Sequence, residues 1–256
     1  MDTIQSDEGL RLWIINHLSE KLGKHAILKG GMVLRLLNCP RYTNDLDYVF
    51  VPFRSKKEIG PLIDKAMADL KGARIEKRLH STNVRYDVVF TNASGTFRTH
   101  LEANVSDSCE SEPISTADLA ISNKQSPHIV RVMRFDIALA NKLAAWNERE
   151  LMRDLYDAYF LYRHLGKTPH LPTLRSRLQK INYARRVKNS SLPKSMTLPE
   201  FLARLEQNVR GLTDDSLHEE LRDTLDQDQI AGLAHKMKVG LIQMIEGLLT
   251  ETSDIP

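Results

Sequence analysis

The chain has 256 residues, a net charge of only +3, 41% hydrophobic residues and two cysteines. That is enough apolar material for one large core or two modest ones, while the small charge does not announce a dedicated nucleic-acid binder. Cys39 and Cys109 are too few for a disulfide framework or a zinc cluster, and no apolar run is long enough to span a bilayer. The opening MDTIQSDEG lacks the basic-then-apolar pattern of a secretory signal, so a soluble cytoplasmic protein is expected.

In chain order, Ser6 followed by Asp7 and Glu8 marks a helix start, Leu10, Ile14 and Leu18 form its apolar stripe, and Gly23 is a fitting stop. Ala26 to Leu28 reads as a short buried strand, and Gly30-Gly31 supplies a tight turn. A short helix follows with Met32, Leu36 and Leu37 inward and Arg35 toward water, and Asn38-Cys39-Pro40 ends it. Asp45 to Phe50 is the next strand. Ser55 to Leu70 has helical periodicity with Ile59, Leu62, Ile63, Ala66 and Leu70 inward, and Ala73 to Leu79 is a further strand. Val84 to Phe90 and Thr96 to Val105 form a hairpin around Asn92-Ala93-Ser94-Gly95. Ser106 to Thr116 is polar and loop-like, and His128 to Met133 adds a last strand before a long helix from Phe135. Beyond Gly166 the β-branched runs disappear. Helical patterns recur at Leu171 to Val187, Leu198 to Val209, Leu217 to Leu225 and Ile230 to Leu249, with fraying expected over Glu251 to Pro256. The fold class is therefore α+β, a mixed sheet flanked by helices, followed by a helical C-terminal region.

The chemistry concentrates between Leu28 and Phe50. Side chains alternate along a strand, so Asp45 and Asp47 share one face while Leu46 enters the core. Two adjacent carboxylates repel, and a cation between them is the usual remedy; hard oxygen ligands favour magnesium or manganese. The plainer reading is that both aspartates solubilise a strand end. Against it stands the Gly30-Gly31 turn, whose backbone amides can approach a phosphate. No dinucleotide fingerprint, Walker loop, zincin motif or nucleophile elbow is present. His80, His100 and His164 read as surface or packing residues.

A glycine pair after a strand, a helix, a basic residue at Arg41, and then Thr43-Asn44-Asp45-Leu46-Asp47 is similar to the AbiEii-type nucleotidyltransferase-like toxins, within the DNA polymerase beta-like superfamily. The resemblance continues in LEANVSD (Leu101 to Asp107) and in KLAAWNERELMRDLYDAYFL (Lys142 to Leu161), covering about residues 20 to 165. It implies a nucleotidyltransferase-like domain over 1–133 and a helical domain over 134–256 that completes the active-site cleft. It further implies a type IV toxin that moves NMP from an NTP to an acceptor, either RNA, transfer RNA included, or protein, with an antitoxin that neutralises it. Two-metal transfer calls for a third carboxylate from a neighbouring strand. Glu102 is the candidate, because Leu101 and Ala103 can face inward while Glu102 projects with Asn104, the reserve.

On one unbroken helix, Lys142, Arg149, Arg153 and Asp157 would form a single polar ridge, suited to the triphosphate. The resemblance makes Lys142 the catalytic, nucleotide-binding cation, with help from Arg149 or Arg153, and makes an acid after the arginine functional; Asp157, which best shares the Lys142 ridge, is the catalytic candidate, with Asp154 the alternative. The acceptor surface would be Arg175, Arg177, Lys180, Arg185, Arg186 and Lys188 with Tyr183 interleaved, although a solvated helix face explains that series more simply. A small-molecule nucleotidyltransferase and an inactive nucleotidyltransferase-like module that binds RNA or protein are the rival readings.

Overall fold

The computed structural model describes residues 4–81, 83–184, 187 and 192–253. The chain divides into two compact units, Met1–Arg134 and Phe135–Pro256.

The first unit opens with helix α1 (Asp7–Leu22). The Ser6 hydroxyl accepts the Gly9 amide at 2.8 Å, and Gly23 at φ 53° stops the helix. Leu10, Ile14 and Leu18 are fully buried, as the stripe requires. Strand β1 (Ala26–Lys29) leads through Gly30 into the short helix α2 (Gly31–Leu36), which Asn38 ends at φ 62°. Arg35 is not free in water: its guanidinium donates to Glu8 of α1 at 3.0 and 2.7 Å and to the Cys39 carbonyl at 2.7 Å. Strand β2 (Asp45–Phe50), helix α3 (Lys56–Met67) and strands β3 (Ala73–Leu79), β4 (Val84–Asn92) and β5 (Gly95–Val105) follow. In α3, Ile59 and Ile63 are buried, but Leu62 is 41% exposed and does not belong to the inward stripe. The segment read as a loop contains strand β6 (Ser111–Ser115), followed by helix α4 (Ala117–Ser122) and strand β7 (Ile129–Met133).

The seven strands form one mixed sheet in the order β3-β4-β5-β2-β1-β7-β6, with β2 parallel to β5 and β1 parallel to β7, and the other pairs antiparallel. One face of the central strands is apolar. Leu46, Tyr48 and Phe50 on β2 line up with Leu101 and Ala103 on β5 and Tyr86 and Val88 on β4, all at most 2% exposed. Helices α1 and α3 pack on this sheet, and the Tyr86 hydroxyl reaches the Gly60 carbonyl in α3 at 3.3 Å. Period-2 alternation then sends the polar side chains of the same strands to the other face.

The second unit is helical: α5 (Phe135–Arg149), α6 (Met152–Arg163), α7 (Leu171–Gln179), α8 (Leu198–Arg210), α9 (Asp214–Leu221), α10 (Gln227–Ile230) and α11 (Leu233–Ser253). Capping is explicit here. Thr197 and Glu200 form a capping box on α8, Thr213 and Ser216 one on α9, and the Asp214 carboxylate accepts the Gly232 and Ala234 amides at the start of α11, each at 2.8 Å. Leu139, Leu143, Trp146, Phe201, Leu205 and Leu241 make the core, with Trp146 and Phe201 edge to face at 6.2 Å. The helix read through Val187 ends at Gln179. Its intended continuation at Arg185, Arg186 and Lys188 lies outside the described residues, as do 254–256.

Candidate active site

Within the first unit, two parallel strands place the acidic residues. Asp47 on β2 pairs in register with Glu102 on β5, and Asp45 with His100, so both aspartates and Glu102 stand on the polar face of the sheet. Neighbouring strands lie about 4.8 Å apart, which puts Asp47 and Glu102 side by side. Leu46 and Leu101 are buried at 0% exposure between them, and this burial pins the carboxylates to their face. The Glu102 carboxylate accepts the Asn83 side-chain amide at 2.7 Å and lies 3.5 Å from the Arg85 guanidinium. Among the described residues, no three His, Cys, Asp or Glu side chains come close enough to hold a metal ion as they stand.

The glycine turn meets the aspartate strand directly. Lys29, the last residue of β1, pairs with Asp47 across the antiparallel ladder, and Gly30 follows at φ 78° and ψ −159°, a conformation that essentially only glycine adopts. A Cβ on Gly30 would overlap the Asp47 Oδ2 and sit 3.1 Å from the Asp47 Cβ. A Cβ on Gly31 would lie 2.8 Å from the Arg41 guanidinium and 3.1 Å from the Thr43 hydroxyl. The missing side chains are thus what lets the turn lie against the carboxylate. A magnesium or manganese ion fits this donor set in kind: carboxylate oxygens only, on two adjacent strands, with a cradle that a methyl group would fill.

Cations surround the acids. The Arg85 Nε donates to Asp87 at 2.9 Å, and the Asp87 hydrogen bond raises the Arg85 pKa, with Asp45 and Glu102 adding to the shift. Asp87 in turn is held below the usual carboxylate value, first by Arg85 and further by His100, whose Nδ1 is 2.6 Å away. His100, read as a surface or packing residue, occupies the register position opposite Asp45. Arg11 on α1 is 5% exposed and its Nε and Nη1 have no hydrogen-bond partner among the described residues; burial lowers its pKa, and Asp45 is among the acids that oppose this. The alternation Val84-Arg85-Tyr86-Asp87-Val88 was the sequence signal for Arg85 and Asp87. Nothing in the sequence singled out Arg11.

In the second unit, the expected ridge takes a different form. The chain breaks between α5 and α6, with Glu150 at φ 52°, so Lys142 and Asp157 meet across two packed helices. The Lys142 Nζ is 2.5 Å from Asp157 and 3.7 Å from Asp154, and the two aspartates are 0% and 1% exposed. Arg149 grips Asp154 with two bonds at 3.1 and 2.8 Å. Asp154 and Asp157 both belong to the cluster, whereas Arg153 is exposed and stands outside it. In the basic series, Arg177 is tied to Asn141 and Glu148 at 2.9 and 2.8 Å, and Arg175 and Lys180 are exposed.

A family model described as "Nucleotidyl transferase AbiEii toxin, Type IV TA system" matches residues 14–242. The chain belongs to the AbiEii family. It is by that membership a nucleotidyltransferase toxin of a type IV system, a class defined with an antitoxin partner. No curated protein matches the chain. Among solved structures, JHP933 from Helicobacter pylori is similar with 16% identity and a TM-score of 0.58, covering 97% of this chain and 94% of that one. A candidate nucleotidyltransferase from H. pylori is similar with 19% identity and a TM-score of 0.56, covering 95% of each chain. These two share the AbiEii chain's fold. No helix among the described residues is long and apolar enough to cross a membrane.

Proposed function

We propose that this AbiEii-family chain transfers a nucleoside monophosphate from an NTP to a hydroxyl of an RNA acceptor, transfer RNA included, in a reaction that depends on magnesium or manganese. The acceptor oxygen bonds to the α-phosphorus, the bond from that phosphorus to the bridging oxygen breaks, pyrophosphate leaves, and the hydroxyl proton passes to solvent. A bound divalent ion supplies charge neutralisation and a more acidic acceptor hydroxyl. Asp45 and Asp47 would hold it, with Glu102, now bonded to Asn83 and near Arg85, as the third carboxylate. The Gly30-Gly31 turn brings its amides to the triphosphate. Within the second unit, Asp157 orients Lys142 and Asp154 orients Arg149, and the two cations would serve as phosphate binders.

The observation that carries this reading is the fit of Gly30 against the Asp47 carboxylate. A plain strand-to-helix corner has no need to abut an acid, whereas a site for a metal-bound triphosphate needs both at one point. The test is incubation of the purified chain with α-labelled NTP, total RNA and small hydroxylated acceptors, with and without magnesium. Labelled RNA is the expected product, and Asp47→Asn should lose it. Label confined to small molecules would make the chain an antibiotic-type enzyme, and no label under any condition would make it an inactive module. Activity that survives in Asp47→Asn would refute the metal assignment.

A further inference from the structure

The polar face of the sheet carries more than the acids. Three strands, β3, β4 and β5, present a shallow groove of about 380 Å³ lined by Arg74, Arg78, Arg85 and Arg98, against only Glu76 and Asp87 among the acids. The register explains how they come together. Arg74, Val89 and Arg98 form one row across the three strands, Glu76, Asp87 and His100 the next, and Arg78, Arg85 and Glu102 the third. The second and third rows continue onto β2 as Asp45 and Asp47. The groove therefore ends, one strand spacing on, at the proposed catalytic carboxylates. On the opposite side of β2 lies β1 with the glycine turn. Strand β2 thus separates two places that can receive phosphate.

We infer that the arginine groove over β3, β4 and β5 binds the phosphodiester backbone of the RNA acceptor and leads it to Asp45 and Asp47. The inference rests on the nucleotidyl-transfer reading given above and supplies its acceptor subsite. Arginine forks on three strands make a track along which successive phosphates bind; a single triphosphate would need them gathered at one point. The partners of these arginines favour exchange: Arg74 and Arg78 are 79% and 61% exposed, and their ion pairs with Glu76 are of the solvent-screened kind that gives way readily to phosphate. Arg85 lies deeper, at 32% exposure, bridging Asp87 and Glu102 at the end of the groove nearest the carboxylates. A protein partner fits less well, because the lining holds no Phe, Tyr, Trp or long aliphatic anchor, only Val88, Val89 and the His100 ring that bonds Asp87. Contacts to phosphate carry no base information, which implies binding without base preference.

The test uses the full chain and a fluorescein-labelled single-stranded oligoribonucleotide, titrated by anisotropy over a series of KCl concentrations. Three exposed arginines are changed together, Arg74→Gln, Arg78→Gln and Arg98→Gln, and a matching set replaces the same three with lysine. Loss of three phosphate contacts should lower the slope of log K against log salt by about 2 and weaken binding at least about tenfold. The lysine set should keep most of the affinity, and oligo(A) and oligo(U) should bind alike. Unchanged affinity and slope in the glutamine set would overturn the inference, as would an equal loss in both sets, or weakened antitoxin binding with RNA binding intact. Unfolding midpoints matching the parent's show that the fold survives. The outcome is separable from the reaction assignment: transfer that survives in Asp47→Asn sinks the catalytic reading, while the salt slope alone decides the groove.

Discussion

Replacing Gly30 with alanine tests the point at which turn and carboxylate meet. Two costs are expected. Gly30 sits at φ 78° and ψ −159°, where a residue with a side chain is strained by about 1–3 kcal/mol. The new Cβ would also overlap the Asp47 Oδ2 and lie 3.1 Å from its Cβ, overpacking of a kind that costs about 1–3 kcal/mol further. Gly23 provides the control, for it has φ 53° and ψ −126° but nothing within 4 Å of an added Cβ. Gly23→Ala should thus show the conformational strain alone, and Gly30→Ala the strain plus the clash, a total of about 2–6 kcal/mol. Urea unfolding of both variants measures the difference. The double variant with Asp47→Ala removes the overlapping oxygen but leaves the 3.1 Å contact with Cβ, so the relief should be partial, a coupling of about 1 kcal/mol. Because the displaced group is Asp47, labelled-NTP transfer should fall in Gly30→Ala and persist in Gly23→Ala. Equal destabilisation by the two substitutions, or full transfer activity in Gly30→Ala, would refute the proposed fit between turn and acid.

Two further outcomes follow from groups in the helical unit. Asp157→Ala leaves Lys142, 18% exposed, facing Asp154 at 3.7 Å, and should cost about 3 kcal/mol in urea unfolding, near the low end for a broken buried pair; Arg153→Ala, on an exposed side chain, should stay within about 0.5 kcal/mol. The Ala234 and Gly232 amides hold Asp214 below the ordinary carboxylate value, so the unfolded chain takes up that proton first as the solution is acidified. Its stabilisation is then complete above the unfolded pKa of about 4 and is lost as pH falls through the lower folded value; Asp214→Asn should flatten the urea midpoint's decline in that window, and an unchanged decline would remove Asp214 as its source.

What could be read from the sequence was what local periodicity controls. The stripe of α1, the alternation of β2 and the Asn92–Gly95 turn each state their conformation within a few residues. The failures depended on distant partners. Strand β6, Ser111–Ser115, carries Pro113 and a single long apolar residue, and is a strand because β7 pairs with it; a proline is tolerated there since β6 is the edge. The break after α5 contains neither glycine nor proline. Glu150 takes a left-handed conformation there while Arg204 of α8 binds its carboxylate at 2.5 Å, a contact made 54 positions away. Likewise α7 stops at Gln179 because the chain is recruited elsewhere: Ile181 donates to the Lys194 carbonyl, and the Met196 amide donates to Leu178. A ridge drawn along one ideal helix therefore kept Lys142 and Asp157 but misplaced Arg153.

The polar site is a by-product of how the core is buried. Leu46, Tyr48 and Phe50 must face inward, so Asp45 and Asp47 must face outward, and a slip of one residue in β2 would bury two carboxylates while exposing an aromatic pair stacked at 5.4 Å. The parallel register with β5 transmits the same constraint. Burying Leu101 and Ala103 fixes Glu102 opposite Asp47 and His100 opposite Asp45. From β5 the antiparallel ladder carries it to Arg85 and Asp87, and from β4 to Arg78 and Glu76. In the row from Asp47 the sign of charge changes, from acid on β2 and β5 to arginine on β4 and β3, while the row from Asp45 ends in Asp87 and Glu76, yet the face never changes. Apolar burial thereby holds five strands of charged side chains, from Lys29 on β1 to Arg78 on β3, in fixed rows without any ion pair having to be strong.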